Sequence, residues 1–289
     1  MPPSLQAYTL EFVNGNDETV SLEDVLFGDV FLCSGQSNME YTVDKSYNGA
    51  EEVQAANNYP YIRLTSGPLQ GAYDLGIAPA LSSYLCDKTC CAGTVTKGDY
   101  AELGVTDLPW SVASNTTVAQ PGQTYWNYFS AVCWFTIRNI FDHLNGTTPI
   151  GGVVQAYGGT SIQYWSSPDA IAQCADVYAP GTDCCNWGGY DSCLYYSQIA
   201  PYTIGPTQFK QILWLQGEQN AGKHFLFRMD AQLLIPCLVG CGGNPQMEYY
   251  SCALSALISD WRAKLLQPSL PFGAVLLAPW QTNPGSSPW

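Results

Sequence analysis

An α/β fold, with a parallel sheet and helices on both faces, is what this chain predicts, and three observations carry the prediction. The run Val30-Phe31-Leu32-Cys33 has no charge, as a strand covered on both faces requires. Strand-like runs at 150–156 and 210–215 alternate with helical patterns at about 124–144 and 247–266, the order that right-handed crossovers produce. The three runs lead into polar loops, Gly35-Gln36-Ser37-Asn38, Gly158-Gly159-Thr160-Ser161 and Gln216-Gly217-Glu218-Gln219-Asn220. Open sheets of this class keep their sites beyond the carboxyl ends of the strands.

Taken in order, residues 5–24 read as short strands and turns, with Asn14-Gly15 and Asn16-Asp17 as turn signals, so residues 1–24 form a partial N-terminal β segment and the main domain runs from 25 to 289. The strand at 30–33 follows, then a helix over 50–57 and a strand over 61–64. Residues 67–124 are long, polar and cysteine-bearing, more insertion than core. The helix at about 124–144 places Tyr128, Phe129, Val132, Cys133, Ile140 and Leu144 on one broad face, and Asn145-Gly146 is its stop. Residues 168–206 form a second cysteine-rich excursion. The last helix, about 247–266, aligns Tyr250, Leu254, Leu257, Ile258, Trp261 and Leu265 before a strand at 272–277.

With 289 residues, 46% of them hydrophobic, the chain can bury a sizeable core. Its 24 acidic and 10 basic residues give a net charge of −14, and with no basic patch this argues against nucleic acid or an anionic membrane as partner. No apolar run is long enough to span a bilayer, and no protein partner is evident. Twelve cysteines point to an oxidising compartment. Cys86, Cys90 and Cys91, then Cys174, Cys184, Cys185 and Cys193, then Cys237, Cys241 and Cys252 cluster in loop-like stretches, giving up to five disulfides of open connectivity. Cys33 and Cys133 lie in apolar runs and read as buried free thiols. Paired C-x-x-C knuckles are absent and there are two histidines, which disfavours zinc, and no metal or organic cofactor is implied. Asn115-Thr116-Thr117 and Asn145-Gly146-Thr147 are glycosylation sequons. A secreted, lysosomal or extracellular location calls for a leader, and Met1-Pro2-Pro3-Ser4 opens into Tyr8-Thr9-Leu10-Glu11-Phe12 with no basic or long apolar region, so the leader is expected outside this sequence.

Ser37, just past a glycine at the end of an apolar strand, is placed as hydrolases place a nucleophile. Around it the sequence resembles the SGNH hydrolase superfamily and, within it, the sialate O-acetylesterases. The matching words are Gly28 to Met39, Phe129-Ser130-Ala131-Val132-Cys133-Trp134-Phe135, Gly158-Gly159-Thr160 with Trp165-Ser166-Ser167, Gln216-Gly217-Glu218 with Asn220-Ala221, and Ala256-Leu257-Ile258 with Asp260-Trp261-Arg262, in order over roughly residues 20–280. The resemblance implies a flavodoxin-like three-layer fold and acyl transfer from an O-acetylated carbohydrate such as sialic acid. Ser37 would be the nucleophile. Oxyanion donors would come from the Ser37 N–H, a backbone N–H of Gly158 or Gly159, and a side-chain amide of Gln216 or Asn220. Gln36, Asn38 and Glu218 would support them, Glu218 as a hydrogen-bonded carboxylate beneath the loop. Tyr157, Tyr164 and Trp165 are candidate sugar-stacking walls, and Arg63, Arg138, Arg228 and Arg262 are the arginines available to a sialic carboxylate.

SGNH enzymes also carry an Asp-x-x-His block after the final strand, and none exists in these 289 residues, so the domain is expected to be C-terminally incomplete. His143, near the end of a helix, suits the helix dipole, and His224 reads as a surface residue. Two further readings therefore stand beside the sialate esterase: a non-catalytic carbohydrate-binding homologue and an acetylxylan-type esterase.

Overall fold

A computed structural model describes residues 2–67, 108–119, 129–178, 191–192, 194–205, 207–221 and 245–277. Strands β1 (Ser4–Val13) and β2 (Thr19–Phe27) form an antiparallel hairpin. Its turn is set by Asn14, whose Oδ1 accepts the backbone N–H of Asn16 at 2.8 Å and of Glu18 at 3.0 Å. Gly28 alone separates it from β3 (Asp29–Gly35), and Arg63, hydrogen-bonded to Asp24 at 2.7 Å, ties it to the main sheet.

After β3 come α1 (Ser37–Glu40), α2 (Gly49–Ala55), β4 (Ile62–Ser66), β5 (Leu108–Val112), α3 (Ala131–His143), β6 (Ile150–Ala156), α4 (Ile162–Trp165) and α5 (Pro168–Ala172). Then follow β7 (Gln211–Leu215), α6 (Glu218–Ala221), α7 (Pro245–Lys264) and β8 (Phe272–Ala274). The main sheet has the order β5-β4-β6-β3-β7-β8. It is parallel except for β5, which pairs antiparallel with β4. Pro109 lies in β5, and a strand that cannot donate from that position suits a sheet edge. Residues 108–119 of the stretch read as insertion thus close one side of the sheet, with Leu108, Ala113 and Val118 buried, and 68–107 and 120–124 lie outside the described residues.

Helices cover both faces. On one, Trp134, Ile137 and Phe141 of α3 pack with Phe31, Leu64, Ile150 and Val154, each large side chain contributing roughly 1.5–3 kcal/mol. On the other, Leu32, Val153, Ile212 and Trp214 meet α4, α5 and α7. Residues 194–200, inside the second expected excursion, also enter this core through Leu194, Tyr195, Ile199 and Ala200.

Several boundaries move for local reasons. Helix α3 starts at Ala131, because the Ser130 side chain accepts the Cys133 N–H at 3.1 Å and caps it. Phe129 is buried ahead of the helix, and Tyr128 lies outside the described residues. Asn145 and Gly146 do stop α3, both at positive φ, with the Gly146 N–H reaching Phe141 O at 3.0 Å. Leu266, at φ 57, lies beyond the end of α7, whose buried face is Tyr249, Ala253, Ala256, Leu257 and Trp261. Strand β8 is three residues, shorter than expected.

The reading of Cys33 and Cys133 as free thiols is corrected: they form a disulfide, Cα–Cα 5.8 Å, joining β3 to α3. Both are fully buried, as expected, but in the fold the Cys33 side chain faces the first turn of α3, a juxtaposition invisible to local pattern. Cys174 and Cys252 form a second disulfide, Cα–Cα 5.9 Å, between the segment after α5 and α7. The other eight cysteines lie outside the described residues.

Candidate active site

Register brings the site together. Gly35 pairs with Ala156 of β6 and with Leu215 of β7, so three adjacent strands end at one level and release their loops on one rim. Gly35 permits that closeness: it has φ 149, and a Cβ there would sit 2.0 Å from Leu215 O. Ser37 opens α1 at half-burial. Among the described residues its hydroxyl has no hydrogen bond, and the backbone N–H groups of Ser37, Gly158 and Gly159 have no acceptor.

Gln36 is the hub of the rim. Buried to 3% exposure, its Oε1 accepts from Gln216 Nε2 at 3.1 Å, Gln219 N at 3.2 Å and Gly217 N at 3.4 Å, while its own N–H reaches Leu215 O at 3.0 Å. Gln216 Nε2 also faces Thr160 O and Asn220 Oδ1, each at 2.9 Å. Three acceptors for two hydrogens commit that amide to joining the loops.

Asn220, also buried, accepts the Ile162 N–H through Oδ1 at 2.9 Å and donates from Nδ2 to Gln163 Oε1 at 3.3 Å. It therefore caps α4 from a different loop, where Ser161, the residue preceding that helix, provides no side-chain cap. Asn38 Nδ2 donates to Glu218 Oε1 at 2.6 Å, a bond between the first and third loops, while Glu218 Oε2 is buried with no hydrogen-bond partner among the described residues. Tyr250 donates to Gln216 O at 2.9 Å, and burial, outweighing the hydrogen bond from Trp214, pushes its hydroxyl up to about 12.

The structure thus gathers Gln36, Ser37, Asn38, Gly158, Gly159, Gln216, Glu218 and Asn220 on one rim. Tyr164 and Trp165 are buried in the core on the α7 side, not exposed as walls, whereas Tyr157 is half-buried. His143 is exposed in the last turn of α3, which runs from the Ser130 end near Met39 and Tyr41 back to the start of β6, so it lies at the opposite edge of the sheet. His224 and Arg228 lie outside the described residues. The other arginines are engaged elsewhere: Arg63 with Asp24, Arg138 with Glu52, and Arg262 with Leu270 O at 2.8 Å. Sequence reasoning gave Gln36 a supporting place and missed that it bonds the whole third loop; its position beside the glycine turn was the available signal.

A three-layer α/β sheet whose Ser37-bearing turn sits between a diglycine loop and a Gln-Gly-Glu loop is that of the SGNH hydrolase class. Its fold is similar to that of a carbohydrate acetylesterase from Xanthomonas citri, with a TM-score of 0.59 and 23% identity, over 90% of this chain and 44% of that one. The sequence is 30% identical over 281 residues to the sialate O-acetylesterase of Homo sapiens, covering 93% of this chain and 43% of that protein. It is 28% identical over 286 residues to that of Mus musculus, covering 93% and 46%. The chain belongs to the sialate O-acetylesterase family. It spans less than half the length of these curated relatives. No family model matches it.

Proposed function

We propose that this chain hydrolyses O-acetyl esters of sialic acid or a related sugar, with Ser37 as nucleophile. What supports the reading is that Ser37 and the Gly158-Gly159 loop leave adjacent strands at one level of the sheet, with no acceptor for the Ser37, Gly158 and Gly159 N–H groups among the described residues. Ser37 Oγ attacks the acetyl carbonyl carbon, and the C–O bond to the sugar breaks as its oxygen takes a proton. Water then cleaves the acetyl-enzyme, releasing acetate and restoring the serine. The N–H groups receive the developing oxyanion, each such donor supplying about 2.7–4 kcal/mol. With the Gln216 amide committed to the loops, the side-chain donor in this reading is Asn220.

The serine proton needs a base. His143, at the opposite edge of the sheet, does not supply it. The N-terminal segment 1–24 is read as a separate β unit beside the esterase unit from 25 onward. Two disulfides support a secreted or lysosomal setting, since such bonds persist in oxidising compartments. Among the described residues no helix is long and apolar enough to cross a membrane.

The test is acetate release from an O-acetylated sialic acid and from acetylated xylan, with Ser37→Ala and His224→Ala alongside. The reading expects turnover of the sialic substrate that Ser37→Ala abolishes. Turnover of xylan alone moves the substrate, and saturable sugar binding without acetate release leaves a carbohydrate-binding homologue.

A further inference from the structure

We infer that Thr160 and Trp165 are a positioning pair that sets the backbone of the Gly158-Gly159 bridge, an inference that rests on the esterase reading above. Two consecutive glycines have the widest backbone freedom a chain offers, so oxyanion donors placed there need an outside constraint. Gly159 is held at φ 69.

The constraint spans the bridge. Thr160 Oγ1 donates to Tyr157 O at 2.6 Å, so the residues on either side of the glycines are bonded to one another. The same oxygen accepts the Trp165 indole N–H at 3.0 Å. That donor occupies a lone pair of the hydroxyl and leaves its single proton to Tyr157. The Thr160 carbonyl, in turn, takes Gln216 Nε2 at 2.9 Å, joining the bridge to the third loop.

Trp165 is itself immobilised. It is fully buried, its carbonyl accepts the Trp261 indole N–H at 3.2 Å, and its ring meets Trp214 edge-on at 5.9 Å. Trp214 meets Trp261 in the same way at 5.7 Å. The chain of contacts therefore runs from α7 through three indoles to a threonine hydroxyl and ends at the diglycine, with neither Thr160 nor Trp165 required to touch substrate.

The experiment measures kcat and KM for acetate release by the full chain, its Thr160→Val and Thr160→Ser variants, and Trp165→Phe, together with amide hydrogen exchange over 157–161. Thr160→Val keeps the shape and removes both bonds, and its kcat is expected to fall about 100-fold, the scale of a small misplacement of catalytic groups, with KM little changed. Thr160→Ser restores most of that loss, and Trp165→Phe, which keeps an aromatic ring, lowers kcat in the same direction. A Thr160→Val enzyme within about twofold of wild type, or a Thr160→Ser enzyme equally damaged, overturns the inference. If wild type releases no acetate, the esterase reading has failed and exchange decides alone: faster exchange over 157–161 in Thr160→Val but not Thr160→Ser sustains the pair, and unchanged exchange refutes it.

Discussion

The sheet face beneath α3 and the face beneath α7 are both closely buried, yet they are built from different chemistry. Against α3 the contacts are aliphatic and aromatic packing around Phe31, Leu64, Ile137 and Val154, fastened by Cys33–Cys133. Against α7 lie Trp165, Trp214 and Trp261, each spending its indole N–H on a named acceptor: Thr160 Oγ1, Tyr250 OH and Trp165 O. Two of those acceptors belong to, or bond directly to, rim loops. Damage to the first face should therefore be read in stability, and damage to the second in the geometry of the rim.

Replacing Cys33 and Cys133 together by alanine removes a crosslink with a sequence separation of 100 and should cost roughly 2–5 kcal/mol by chemical denaturation. The kcat of the folded fraction should stay unchanged; a large fall in kcat would erase the distinction between the faces. Gly152→Ala places a Cβ 2.7 Å from Ile137 Cδ1 and should cost about 1–3 kcal/mol by overpacking, again without a change in kcat.

On the α7 face, Tyr202 and Tyr250 are both pushed up to about 12 by burial. Between pH 10 and 12 the unfolded chain loses these protons while the folded one retains them, so stability falls as pH rises, by on the order of 2 kcal/mol for each tyrosine. Denaturation curves over that range should flatten in Tyr202→Phe, and an unaltered slope would contradict the buried-phenol explanation. Trp261→Phe deletes the bond to Trp165 O, about 0.5–1.5 kcal/mol of stability, and trims the ring that meets Trp214, and it should bring a measurable fall in kcat.

Much of this was legible in the sequence, because periodicity and loop chemistry are local. The strands at 150–156 and 211–215, the stop at Asn145-Gly146 and the rim loops all announce themselves within a few residues. What escaped depends on partners far along the chain. Cys33 reads as a core thiol until α3 is folded over β3. Asn220 reads as an amide donor, whereas its Oδ1 caps α4, 58 positions away. Strand β5 is short, carries a proline and pairs antiparallel, so neither length nor propensity marks it.

The level register at Gly35, Ala156 and Leu215 also bears on how such a chain changes over evolutionary time. Links at the far edge of the sheet are brief: Gly28 between β2 and β3, residues 144–149 before β6, and 265–271 before β8. The stretches that leave the rim side, 67–107 after β4, 157–210 after β6 and 222–244 after α6, are longer in sequence, and 113–130, which leaves the far end of antiparallel β5, is the exception. Length changes accepted beyond those strand ends leave the strand pairing intact, so relatives built on one scaffold can diverge around the rim without refolding the sheet that carries Ser37.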